Sequence, residues 1–260
     1  MNEKKQKNIR LIAGAVLLVL GVVLAVFTRG SALVEDATSG QKMPFALSLI
    51  LTLLGAVVVI MGLRPAPKKT DVRSLAMAAL FAALCYIGFS FLRIDIPVGT
   101  EKTAFHLGNV FCVMAALFLG GLWGGMAGAV GMTIADLTTA YVTSAPKTFL
   151  LKLCIGLITG LVAHKIFKLS REKENRKVSL PVATTLSCVA GMAFNVVADP
   201  VVGYFYKMYI LGVPQDAAKI WAKIGAVTTS VNAVVAVVVA TIGYLALRPI
   251  LKKSKLLPEI

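Results

Sequence analysis

Acidic residues are scarce in this chain. Twelve Asp and Glu face 27 Lys and Arg, and charged residues fill only 15% of its 260 positions. A soluble domain carries about 25% charge, so an ordinary water-facing surface is excluded. Histidine is confined to His106 and His164, and the cysteines Cys85, Cys112, Cys154 and Cys188 stand singly in apolar segments. There is no CxxC pair, no HExxH and no GxSxG, which removes the common zinc, redox and hydrolase signatures. No metal and no cofactor is expected, and the cysteines read as small core residues. A GxxxxGK[ST] phosphate loop is also missing, so any ATP hydrolysis belongs to another chain.

What the chain has is apolar sequence in long blocks, 58% of it hydrophobic. Blocks of about 18 or more such residues read as membrane spans, which makes this an all-α, polytopic membrane bundle. The net charge of +15 is no sign of nucleic acid. The basic residues sit in short segments between apolar blocks, the pattern that orients a protein in the lipid bilayer. Spans are expected at 9–27, 45–63, 74–92, twice within 104–137, and at 146–167, 180–202 and 221–247. The first has the basic start and apolar middle of a signal peptide. It is long for one and lacks a prompt cleavage site, so it reads as an uncleaved helix. "RPAPKKTDVR" (64–73) marks the boundary between a helix pair of unknown role, 1–66, and a six-helix domain, 67–260. "RIDIPVGTEKTAF" reads as a connecting loop. As one helix, 104–137 would extend about 51 Å against a hydrocarbon core of about 30 Å. The chain must therefore turn back, at "LGGLWGG".

Eight spans place both termini on one side. With that side cytoplasmic, eighteen of the 27 basic residues lie inside, as the positive-inside rule requires. In that orientation His106, Asn109, Asp136, Lys152, Asn195, Asp199 and Asn232 gather toward the outer half of the membrane, and they are the candidate substrate-binding residues. Polar groups at such depth usually face a cavity or the bundle interior. Asn195 and Asp199 are one turn apart and share a face. Other readings stand beside these. Asp199-Pro200 could simply end a helix. Asn109 and Asn232 could serve only as interhelical hydrogen bonds. Asp136 either bonds the ligand or holds the loop "LTTAYVTSAPK". Lys147, Lys207 and Lys219 read as snorkelling helix-end charges. Tyr141, Tyr204 and Tyr206 either flank the cavity or form an interface belt. Glycines spaced at four, Gly120, Gly124 and Gly128 and also Gly156 and Gly160, read as internal packing.

The alanine repeat "AMAALFAAL", the block "TAFHLGNVFCVMAALFLGGLWGGMAGAVGMTIADL" and "APKTFLLKLCIGLITGLVAHKI" resemble the S components of energy-coupling factor (ECF) transporters. These are bacterial and archaeal vitamin importers, and the likeness is to the riboflavin-transporter-like group. The resemblance covers about residues 72–250. It implies a substrate-capture subunit of the cytoplasmic membrane. Its partners would be a transmembrane coupling subunit and two ATPases, reached through Ala78, Ala79, Ala82 and Ala83. Riboflavin is the first expected substrate, a pyridoxine-type compound or a pyrimidine precursor the next. The extra helix pair departs from that pattern and is either accessory packing or a remnant. An ion-coupled secondary transporter is the rival class, but no inverted repeat or midplane charge supports it. A membrane enzyme built on Asp136, His106 and Lys152 would lack any paired catalytic motif. A purely structural or sensory protein would bind no metabolite.

Overall fold

The computed structural model describes residues 3–32, 44–45, 47–52, 55, 58, 72–99, 101–170, 178–254 and 256–257. Residues 64–71 of the expected linker, most of the second span and the charged segment 171–177 lie outside the described residues. The chain forms two compact units. One is residues 1–70 with 136–146, the other 71–135 with 147–260. In the first, helix α1 (Glu3–Ala32) lies antiparallel to the helical residues 47–52. A Cβ added at Gly21 would strike Thr52 and Ser48, and one at Gly55 would strike Leu18 and Gly14.

The second unit contains six helical segments. They are α2 (Val72–Ser90), the two halves of α3 (Gly108–Leu137), α4 (Ala145–Gly160), α5 (Leu180–Phe205) and α6 (Gln215–Lys253). Only the last two residues of α3 and the first two of α4 belong to the other unit. Among the described residues, six helices are long and apolar enough to cross a membrane. The expected reversal within 104–137 is present. Gly120 has φ 81° and ψ 171°, a backbone state that glycine alone adopts readily. Beyond it α3 runs back along itself: Gly124 meets Ala116, Gly128 meets Cys112, and Gly108 meets Met132. All three contacts are centred on residue 120, as an antiparallel hairpin demands.

The loop expected at 93–105 is a β-hairpin. Strands β1 (Arg93–Val98) and β2 (Glu101–His106) pair antiparallel, with Arg93 opposite His106 and Val98 opposite Glu101. Gly99 has φ 62°, and a two-residue turn of this kind wants glycine there. Helix α5 also passes its expected end. It runs through Pro200 to Phe205, so Asp199-Pro200 does not terminate it.

Glycines set the helix spacing. Gly125 meets Gly156, and Gly121 meets Gly160, which brings the second half of α3 and α4 into backbone contact. Lipid tails are as apolar as Leu, so membrane helices associate through such close packing. Gly131 faces the Ala82 carbonyl of α2, and Gly191 of α5 faces Thr159 of α4. Phe81 stacks on Phe118 at 5.8 Å, and Phe118 packs on Tyr244 at 4.7 Å.

The first half of α3, Gly108 to Leu119, has twelve residues and extends about 18 Å. Its last carbonyls lack the next helical turn that would pair them, and an unpaired buried carbonyl is expensive. His164 supplies one partner: Nε2 donates to the Ala116 carbonyl at 3.2 Å. Nδ1 then accepts the Ser170 hydroxyl at 2.6 Å, because a neutral imidazole has one donor and one acceptor. His164 thus caps a broken helix.

Gly156→Leu should prevent the α3–α4 contact and sharply lower the unfolding temperature in detergent. Gly225 in α6 is the control, since an added Cβ there meets nothing within 4 Å. Gly225→Ala should stabilise by about 0.5–1 kcal/mol.

Candidate functional site

The β-hairpin is fastened to α6 by three side chains. Asn232 Nδ2 donates to the Ala104 carbonyl at 3.0 Å, and its Oδ1 accepts from the His106 amide at 3.1 Å. One turn earlier, the Thr228 and Thr103 hydroxyls are 3.0 Å apart. The Asn232 amide therefore bonds the free edge of β2 much as a neighbouring strand would.

This attachment sets His106 into the larger unit. Its ring packs edge-on against Phe89 at 4.7 Å. Burial, then the Lys152 and Arg93 charges, hold its pKa at about 3, with Asp199 opposing. The imidazole is neutral at any physiological pH, and its buried Nδ1 has no partner among the described residues.

The buried Oδ1 atoms of Asn109, at the start of α3, and of Asn195 in α5 likewise have no partner among the described residues. These residues are 2% and 1% exposed. Leaving a buried polar group unsatisfied costs about 1–3 kcal/mol, so such atoms are normally retained to meet something. Lys152 of α4 is 7% exposed, and its charge is felt at both His106 and Asp199. Asp199 itself is engaged on both oxygens. Oδ1 pairs with Lys147 Nζ at 2.9 Å, and Oδ2 accepts from the Thr229 hydroxyl at 2.8 Å.

Six of the seven candidate residues, His106, Asn109, Lys152, Asn195, Asp199 and Asn232, thus fall in one unit. Asp136 belongs to the other. It is buried, and its carbonyl accepts the Thr139 amide at 3.3 Å, closing the turn after α3. Lys147 is no snorkelling charge, because the ion pair with Asp199 turns it inward. Lys207 lies over the Trp221 ring at 3.7 Å, and Lys219 contacts Asp216 at 3.5 Å on the exposed surface. Tyr204 accepts from Gln215 at 3.2 Å at the turn between α5 and α6. Thr103, Thr228 and Thr229 escaped the sequence reading. The spacing of Thr228 and Asn232, one turn apart, was the available signal.

The four alanines of α2 divide. Ser74, Ala78, Phe81, Cys85 and Gly88 form its buried stripe, so Ala78 faces inward, and Ala82 is half-buried with its carbonyl against Gly131. Ala79 and Ala83 are exposed.

Asn232→Ala should strand the Ala104 carbonyl and the His106 amide, at a cost of about 1–3 kcal/mol. Hydrogen exchange should then speed up along 101–106. His106 also predicts a pH dependence. Its folded pKa lies below the ordinary 6.5, so its contribution to stability is complete above about 6.5 and is lost as pH falls toward 3. Between pH 7 and 4.5 the unfolding midpoint of His106→Asn should fall less than that of the unmodified protein.

Neither a curated protein nor a solved structure matches the chain. The family model of the ECF-type riboflavin transporter, S component, matches residues 69–249, a range that begins just before α2 and ends within α6. With its helices long enough to cross a membrane, this multi-pass membrane protein belongs to the ECF S-component family of the riboflavin-transporter type, the substrate-binding subunits of vitamin-type transporters.

Proposed function

We propose that the chain captures riboflavin outside a bacterial or archaeal cytoplasmic membrane for an ATP-driven ECF importer, with both of its termini in the cytoplasm. The supporting observation is the buried side-chain atoms of Asn109, Asn195 and His106 that have no partner among the described residues, beside the buried side chain of Lys152. Amide oxygens call for N–H or O–H donors, and an imidazole nitrogen takes a donor or an acceptor according to its tautomer. The pyrimidine edge of a flavin offers both in alternation, and its hydroxylated chain adds further donors. A neutral His106 admits such an uncharged ring without creating a charge conflict.

Energy comes from partner ATPases in this reading, since the chain has no phosphate loop. The coupling subunit docks on the exposed face of α2 at Ala79 and Ala83, where small side chains permit close helix approach. Ala78 is left out of that face because it is buried in the chain itself.

Two experiments test this. Protein purified in detergent from cells grown in rich medium should be yellow, and on denaturation should release riboflavin detectable by mass spectrometry. Release of a B6 compound or a pyrimidine precursor would replace the substrate and keep the capture role. Ala83→Trp should abolish cellular uptake while leaving the ligand dissociation constant unchanged, and undiminished uptake would remove this face from the docking surface.

A further inference from the structure

Asp199 looks in sequence like a ligand contact, yet its carboxylate is occupied by the chain itself. Oδ1 pairs with Lys147 at 2.9 Å and Oδ2 takes the Thr229 hydroxyl at 2.8 Å. One carboxylate of α5 thereby joins the first turn of α4 to α6. Room for the lysine is built in. Gly203 lies one turn beyond Asp199, and a Cβ there would stand 3.4 Å from Lys147 Nζ.

The same two helices carry ligand-facing candidates close by. Asn195 is one turn before Asp199 on the same face of α5. Lys152 follows Lys147 by five residues on α4. The paired side chains are only 14% and 21% exposed, although a lysine in a helix's first turn ordinarily extends toward the lipid headgroups. A secluded ion pair adds little stability over an apolar pair of the same volume, but its short charge-assisted contact favours one relative placement of its helices.

We infer that Lys147 and Asp199 are positioning residues. Their ion pair sets the height and rotation of α4 against α5, so that Lys152 and Asn195 meet the ligand at a defined separation, and Asp199 does not itself touch the ligand. This rests on reading the cluster as the ligand site.

The test uses the full chain in detergent, with riboflavin fluorescence quenching as the binding assay. A ligand-free arm measures maleimide labelling of Asn195→Cys, located by peptide mass spectrometry. Lys147→Met and Asp199→Asn should each weaken riboflavin binding by at least about tenfold and speed labelling at position 195 several-fold. The exchanged pair, Lys147→Asp with Asp199→Lys, should recover most of both, and Lys147→Arg should behave as the parent does. If Asp199→Asn does not fold, Gly203→Leu takes its place, since it crowds Lys147 without removing a charge. The inference is overturned if the single variants bind and label as the parent. It is equally overturned if Asp199→Asn loses binding while Lys147→Met keeps it, because the carboxylate would then contact ligand directly. Should the parent not bind riboflavin, the substrate reading falls and the labelling arm alone decides the positioning role.

Discussion

Two helix backbones touch where Gly121 and Gly125 of α3 face Gly160 and Gly156 of α4, and much of the larger unit follows from that approach. In water, a helix buries an apolar stripe because water rejects it. In lipid that drive is absent, and contact comes from dispersion at short range and from interhelical hydrogen bonds. Glycine supplies the short range. Once α4 is drawn against α3, Thr159 of α4 can seat against Gly191 of α5. The α4–α5 face then carries Lys147 to Asp199.

The same economy governs the break at Gly120. The helix breaks there, so its final carbonyls lose the donors of the next turn and need partners inside the protein. His164 meets one of them, and its second nitrogen is taken by Ser170. At the other end of the unit the polar groups are handled unequally. Asn232, Thr228, Thr229, Lys147 and Asp199 are bonded within the chain, whereas side-chain atoms of Asn109, Asn195 and His106 have no partner among the described residues. That inequality separates polar groups already bonded within the unit from buried groups with bonding capacity to spare. It fits a substrate-binding subunit, whose task is to recognise a molecule rather than transform it.

The division also bears on partners. Helix α2 buries the stripe through Ala78 and Phe81 and exposes the one through Ala79 and Ala83. One helix can thus pack into its own unit on one side and offer small residues on another. Adjacent alanines therefore have different surroundings, and an alanine repeat read as a single motif conceals this.

Much was legible in the residues themselves. Block length required the spans, the mismatch between thirty-four residues and a bilayer's thickness required the reversal near Gly120, and the quoted alanine, glycine and lysine segments carried the family resemblance later matched over 69–249. These features are local, so a single sequence can display them. The segment 93–105 reads as a loop because its strands are short and interrupted by Pro97, and only Gly99 announced a hairpin. Lys147 was misread because snorkelling and inward pairing share one sequence signature, a lysine near a helix end. Which of the two occurs depends on whether an acid from another helix stands within about 4 Å, here Asp199, fifty-two residues away. The sequence by itself determined that this chain lives in a membrane, where it reverses and to which family it belongs, because length, hydropathy and motif are properties of contiguous residues. Only the tertiary structure decided which of its buried polar atoms are already satisfied, because a hydrogen bond between helices is fixed by rotation and height, and neither is written in spacing along one chain.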